Sequence, residues 1–236
     1  MSMALTLSLI FFIAFTIESA IGFGGLLVSF AVLAFFMDIK TLVPVAIYVG
    51  IVASLMILAT NRSNIDFKLF LRVFPVALIG VASGSFLFEY FDSEFLLQIF
   101  SIFLVITALK SLIFTKFTLP KLLQAPLVFC GGLMQGIYGI GGPFTILALK
   151  DSFASKTALR STMAIYFVVF NILRMLQLQL MGSIGFKEVF INWWLIFPLF
   201  LAAKLGYKLH LYVPEEQFKK LVNILLLFAG IIYILR

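Results

Sequence analysis

The chain has 236 residues, of which 63% are hydrophobic and 11% are charged, against about 25% charged in an average soluble domain. With a mean hydropathy of +1.18, it carries more apolar side chain than one globular core could bury. This composition excludes a soluble enzyme and a nucleic-acid-binding protein. It predicts an all-α polytopic membrane protein, whose net charge of +7 orients the chain in the bilayer rather than binding nucleic acid.

In chain order, the first element is an apolar region over 3–37, which the glycines of 22–25 interrupt. A second interrupted region covers 125–149, and its arms of about 14 and 10 residues are too short to cross a hydrocarbon layer of about 30 Å. Each region is predicted to form a hairpin of two half-helices, which either spans the membrane or re-enters. The alternative is that the glycines only allow close helix packing. Three helices of spanning length follow each hairpin, at 41–60, 67–90 and 95–115, and at 157–181, 188–212 and 217–235.

The two interrupted regions match when the chain is shifted by 117 residues. Each half then reads as a hairpin followed by three helices, which predicts an internal duplication with repeats 1–117 and 118–236. The shift places Glu18 on Gln135, and Gly22, Gly24 and Gly25 on Gly139, Gly141 and Gly142.

Basic residues predict how the repeats are oriented. Lys and Arg are enriched in cytoplasmic loops, and most of the 17 in this chain flank segment ends that the duplication assigns to one face. Both termini are then outside, the linker between the halves is cytoplasmic, and the repeats are inverted, as in many alternating-access transporters. The residues that set this orientation are Arg62, Lys68, Arg72, Lys110, Lys116, Lys121, Lys150, Lys156, Arg160, Lys204, Lys208, Lys219 and Lys220.

The glycine turns carry the functional prediction. A helix N-terminus presents unpaired N–H groups and a partial positive charge, and the second arm of each hairpin begins at such a turn. Pro143 suits the first turn of a helix because it needs no N–H partner there. In inverted repeats the two turns are expected to meet near the midplane and to bind a small anion. An anion channel for a small oxyanion or carboxylate would use the same groups and is the alternative.

These turns resemble those of the sulfite exporter TauE/SafE family, also called TSUP. The closer match is Gly136-Ile137-Tyr138-Gly139-Ile140-Gly141-Gly142-Pro143, whereas the first turn has Leu26 where family members often have glycine. The resemblance implies a multi-pass transporter of the cell membrane that exports sulfite or organosulfonates such as sulfoacetate. A separate thiosulfate-transporting family depends on several cysteines, and the single Cys130 argues against it.

Other classes of function leave no signature in the sequence. No paired catalytic group is evident, so an enzyme is not predicted, and one cysteine with one histidine argues against a structural zinc site. No cofactor is expected. The predicted partners are a small anionic substrate and the lipid bilayer, and homodimer formation is left open.

Two charged side chains stand out within the spans. Glu18 lies one turn before the first glycine turn, where a carboxylate must be paired or protonated; it is predicted to couple transport to protons, or else to accept hydrogen bonds from the amides of the broken helix. Arg174 shares a helix face with Asn171 and Gln177. It is predicted to attract the anion, or else to extend its side chain to the outer interface.

Ser19 and Tyr138 flank the turns and are candidate donors to oxyanion oxygens; the alternative for Tyr138 is that it only fills space between helices. The predicted substrate-binding set comprises Glu18, Ser19, Gly22, Gly24, Gly25, Gln135, Tyr138, Gly139, Gly141, Gly142, Pro143, Asn171 and Arg174.

Overall fold

The structure is a computed structural model that describes residues 3–21, 24–113, 120–182, 191–209 and 215–235. These residues form helices and connecting turns, and none of them forms a strand, which confirms the all-α class. In chain order the α-helices are α1 (Met3–Ile21), α2 (Gly25–Leu33), α3 (Ile39–Asn61), α4 (Phe67–Tyr90), α5 (Ser93–Ile113), α6 (Gln124–Tyr138), α7 (Gly142–Leu149), α8 (Lys156–Leu180), α9 (Ile196–Leu209) and α10 (Glu215–Leu235).

Four helices are long and apolar enough to cross a membrane, namely α3, α4, α5 and α8. They coincide with the predicted spans 41–60, 67–90, 95–115 and 157–181. The predicted spans 188–212 and 217–235 correspond to α9 and α10, whose apolar stretches are shorter, at Trp193–Gly206 and Val222–Leu235. Part of 188–212 lies outside the described residues. The chain is therefore a polytopic helical membrane protein.

Both predicted interruptions break a helix. Gly24 has φ 100° between α1 and α2, and Gly139 has φ 72° between α6 and α7. Residues with a Cβ rarely adopt this left-handed region, so glycine is favoured at both positions. With 15 and 8 residues, α6 and α7 are about 22 and 12 Å long, and neither alone crosses the hydrocarbon layer. Gly22, the first glycine of the first turn, lies outside the described residues.

The chain divides into two compact units. The first unit comprises Met1–Leu42, Phe91–Phe117 and Trp193–Arg236. Within it, α1 packs mainly against α9, α5 packs against α10, and α2 folds back on α1. The Tyr233 hydroxyl of α10 donates a hydrogen bond to the Ala31 carbonyl of α2 at 2.8 Å. These contacts hold the first broken helix against the last two helices of the chain.

The second unit comprises Val43–Tyr90 and Thr118–Asn192, and its most extensive packing joins α4 to α6. Both helices carry two glycines four residues apart at this contact. A Cβ on Gly84 would collide with the Leu133 carbonyl, and one on Gly136 would collide with the Val81 carbonyl. Paired small residues let helix backbones approach this closely in membranes. The glycines are Gly80 and Gly84 of α4, and Gly132 and Gly136 of α6.

Each compact unit combines segments from before and after residue 117. In the first unit α1 contacts α9, and in the second α6 contacts α4, so a hairpin arm packs against a helix from the other half of the sequence in both. The repeat boundary at residue 117 and the inverted orientation of the repeats stay predictions.

Candidate functional site

The second glycine turn is organised by one buried glutamine. Gln135 lies in the last turn of α6 and is 0% exposed. Its Oε1 accepts a hydrogen bond from the Gly141 N–H at 2.8 Å, and its Nε2 donates to Asn171 Oδ1 at 2.6 Å. Its backbone carbonyl accepts from the Gly139 N–H at 2.9 Å, which ends α6. A single residue thereby joins α6, the turn before α7, and α8.

These bonds fix the orientation of both amide side chains. A backbone N–H can only donate, so the atom of Gln135 that faces Gly141 must be the oxygen. Its NH2 group then faces Asn171, which must present its own oxygen in return. The Asn171 NH2 group is the end of this chain of bonds. Nδ2 is buried and has no hydrogen-bond partner among the described residues.

Arg174 extends the same arrangement one turn along α8. Its Nε donates to the Gly136 carbonyl at 2.7 Å, and its Nη1 donates to Gln177 Oε1 at 2.6 Å. The guanidinium carbon lies 4.6 Å from the centre of the Phe88 ring. The side chain is 1% exposed, so it does not extend to an outer surface as an interfacial arginine would. Nη2 remains buried and without a hydrogen-bond partner in the described part of the chain.

The polar network at this turn therefore ends in hydrogen-bond donors. Asn171 and Arg174 are both 1% exposed, and each has an NH2 group that no described acceptor satisfies. The Gly142 N–H adds one more donor at the first residue of α7, since a helix leaves its first N–H groups without partners inside the helix. A buried donor without an acceptor costs about 1–3 kcal/mol. Such a site favours a ligand that is rich in acceptors and negatively charged.

The first glycine turn uses a related contact. Glu18 Oε2 accepts a hydrogen bond from the Gly25 N–H at 2.7 Å, at the start of α2. Glu18 therefore accepts a hydrogen bond from an amide of the broken helix, which is one of the two roles considered from the sequence. A role in proton coupling stays a prediction. The Ser19 hydroxyl donates to the Ala203 carbonyl of α9 at 2.8 Å. Because a hydroxyl has one hydrogen, Ser19 has no further donor for a ligand in this arrangement.

The remaining predicted residues lie on the second turn itself. Tyr138 is the last residue of α6 and is completely buried. Pro143 is the second residue of α7 and follows Gly142, where a Cβ would come within 3.3 Å of the Phe167 ring. Ligand binding by these residues stays a prediction.

Sequence reasoning missed one charged neighbour of the site. Glu89, near the end of α4, places Oε1 3.7 Å from Arg174 Nη1. In the sequence, Glu89 reads only as one of several acidic residues at a segment end. No local pattern links it to Arg174, because the contact depends on how α4 packs beside α6 and α8. Among the described residues, no three His, Cys, Asp or Glu side chains form a group that could hold a metal ion.

Comparison with known families gives one match. The model of the family described as "Sulfite exporter TauE/SafE" matches residues 7–233, nearly the whole chain. Comparisons with curated proteins and with solved structures give no match. The family is one of membrane transporters of sulfur-containing anions, not of enzymes, and this agrees with the apolar spans described above. The chain belongs to the TauE/SafE sulfite exporter family.

Proposed function

We propose that this protein exports a small sulfur oxyanion, such as sulfite or the organosulfonate sulfoacetate, and binds it at the second glycine turn. Membership of the family supports the class of substrate. The location rests on one observation: the buried network of Gln135, Asn171 and Arg174 ends, beside the N-terminus of α7, in donors that no described residue satisfies.

The donor groups suit the chemistry of this substrate class. Sulfite and sulfonates present three oxygens around one sulfur, and each oxygen accepts hydrogen bonds. In the proposed complex, Asn171 Nδ2 and Arg174 Nη2 donate to two of them, and the Gly142 N–H at the start of α7 donates to the third. Arg174 supplies the only full positive charge in this network, and the other donors are neutral. Binding of moderate strength follows, which a transporter needs in order to release its substrate.

Alternating access and proton coupling belong to the same proposal. The broken helices are a feature of transporters whose substrate sites lie at discontinuous helices. Glu18 is the ionisable residue of the first turn, and its oxygen holds the Gly25 N–H. Protonation of Glu18 would weaken this charge-assisted bond and alter the start of α2. We therefore assign Glu18, rather than its neutral counterpart Gln135, the coupling role.

Orientation in the membrane is proposed from charge alone. Both termini are expected outside and the linker around 114–121 is expected in the cytoplasm. Single-cysteine labels placed near each terminus and in the linker of intact cells test this. Labelling of the linker but not the termini by an impermeant reagent would contradict the orientation.

The experiment that tests the function measures flux into proteoliposomes. Radiolabelled sulfite and sulfoacetate are offered to vesicles that contain the purified protein, with and without a pH gradient. We expect saturable uptake, counterflow of preloaded anion, and a response to the gradient. Currents that follow voltage without saturating would indicate the channel alternative. No flux of any sulfur oxyanion would refute the proposed substrate.

A variant locates the site within the same assay. Arg174→Gln removes a charge-assisted donor, which contributes about 1.5–3 kcal/mol, and we expect apparent affinity to fall about 10- to 100-fold. Lys204→Gln is the matched control, since Lys204 is a cation of α9 that lies 4.6 Å from the Phe200 ring and outside the second unit. Equal affinities for Arg174→Gln and the wild type would place the anion elsewhere.

A further inference from the structure

Glu89 faces Arg174 in an unusual way for a half-buried acid. Its Oε1 lies 3.7 Å from Arg174 Nη1, beyond hydrogen-bond distance, and this oxygen is buried without a hydrogen-bond partner among the described residues. The side chain as a whole is 29% exposed. A carboxylate that anchors an arginine normally makes short, often paired, hydrogen bonds at about 2.7–2.9 Å. Glu89 therefore supplies charge near Arg174 without holding it in place.

Neutral groups hold the guanidinium instead. The short hydrogen bonds of Arg174 go to the Gly136 carbonyl and to Gln177, at 2.7 and 2.6 Å. The Phe88 ring, next to Glu89 in α4, covers the guanidinium plane. The position of Arg174 is thus fixed by three contacts that do not involve a carboxylate. Loss of the Glu89 charge should leave the guanidinium where it is.

We propose that Glu89 is a competing counter-charge that weakens anion binding at Arg174 and thereby speeds release of the substrate. This inference rests on the proposed function, because it takes the anion to bind at Arg174 Nη2. With the anion on Nη2 and Glu89 beside Nη1, two negative charges share one guanidinium. Their repulsion is stronger than in water, because Arg174 and the Glu89 Oε1 atom are buried and the effective dielectric constant is lower there. Glu89 acts through Arg174 and does not itself contact the anion.

The opposite role for Glu89 makes a different prediction. If Glu89 served only to neutralise a buried arginine, its removal would lower stability and would leave affinity unchanged or weaker. If it competes with the substrate, its removal raises affinity and slows turnover, because release becomes harder. Affinity and maximal rate therefore move in opposite directions only under competition.

Three variants test this in the purified full-length protein. Glu89→Gln removes the charge at nearly constant size, Glu89→Asp keeps it but draws it back by one methylene, and Glu94→Gln makes the same change at an exposed acid at the start of α5. Sulfite binding is measured by titration, and sulfite flux is measured in proteoliposomes. Thermal unfolding shows whether each variant is folded. We expect Glu89→Gln to bind sulfite about tenfold more tightly, because one partly screened negative charge near the anion is removed. Its maximal rate should fall.

The order of affinities decides the outcome. We expect Glu89→Gln to bind most tightly, Glu89→Asp next, and Glu94→Gln like the wild type. If Glu89→Gln does not fold, tighter binding of sulfite by Glu89→Asp than by the wild type would still support the inference. Wild-type affinity or weaker in both Glu89 variants would overturn the inference while leaving the site intact, provided Arg174→Gln still loses binding. Absence of sulfite binding by the wild type would instead overturn the proposed function.

Discussion

The two broken helices share one local contact and differ in what surrounds it. In the first unit, Glu18 accepts the N–H of Gly25, and in the second, Gln135 accepts the N–H of Gly141. Each side chain lies one turn before the break and satisfies an amide that the interrupted helix leaves free. One acceptor is ionisable and the other is neutral. The same contact, a side-chain oxygen that accepts a backbone N–H, can therefore involve a charged side chain at one turn and a neutral one at the other.

The helices packed against each arm differ as well. In the first unit, Ser19 of α1 donates to the Ala203 carbonyl of α9, so its donor is used. In the second unit, the Gly136 carbonyl of α6 accepts from Arg174, and α8 brings two NH2 groups that no described residue satisfies. Among the described residues, no side-chain donor of α1 or α2 is buried without a partner, whereas the second turn has two such donors. This difference is why we assign the anion to the second turn.

Making the neutral turn acidic should have the largest effect. In Gln135→Glu one oxygen still accepts the Gly141 N–H, but the other faces Asn171 Oδ1, and a negative charge enters the anion site. We expect sulfite transport to fall at least about 100-fold, with about 1–3 kcal/mol lost from the free energy of unfolding. Flux and thermal unfolding measure both. Gln179→Glu, on the exposed side of α8, is the control. Wild-type transport by Gln135→Glu would contradict the assignment of the anion to the second turn.

Closing the glycine contacts should have an intermediate effect in both units. A Cβ on Gly84 would meet the Leu133 carbonyl, and one on Gly206 would meet the Thr16 carbonyl. Backbone atoms cannot move aside as a flexible side chain can, so each change to alanine should cost about 1–3 kcal/mol of unfolding free energy. Thermal unfolding in detergent measures this. Ala82→Val, on the exposed side of α4, is the control. Unchanged stability in either glycine variant would contradict the close packing in that unit.

Making the acidic turn neutral should have the smallest effect on folding. In Glu18→Gln the amide oxygen can still accept the Gly25 N–H, so we expect the free energy of unfolding to change by less than about 0.5–1 kcal/mol. Flux without a pH gradient should persist, and the response to the gradient should be lost. Flux with and without a gradient is compared with the wild type. A full response in Glu18→Gln would remove Glu18 from the coupling role.

The sequence was sufficient for features that depend on local rules. The breaks follow from glycines with no Cβ and from Pro143, which suits the start of a helix. The shared face of Asn171, Arg174 and Gln177 follows from spacing of three residues. The hydrogen bond between Arg174 and Gln177 agrees with that prediction. The length and apolarity of the segments predict the four spans at 41–60, 67–90, 95–115 and 157–181.

Features that depend on packing between distant segments could not be read in this way. The approach of Glu89 to Arg174 and the bond from Ser19 to Ala203 join residues far apart in the chain. The paired glycines of α4 and α6 were visible in the sequence as glycines four residues apart. Nothing local, however, showed that these two helices are partners. The compact units also depend on packing between distant segments, because each unit is made from both halves of the chain. The sequence alone therefore does not predict them.

The measurement that tests the central claim most directly is sulfite binding by Asn171→Asp. This change replaces the unsatisfied NH2 group by an oxygen at nearly constant volume, and it keeps an oxygen for the Gln135 NH2 group. Asn223→Asp is the matched control, because Asn223 donates to the Ser111 hydroxyl within the first unit, at 2.7 Å. If the anion binds the donors of the second turn, Asn171→Asp loses sulfite binding and Asn223→Asp keeps it. Wild-type binding by folded Asn171→Asp would contradict the account.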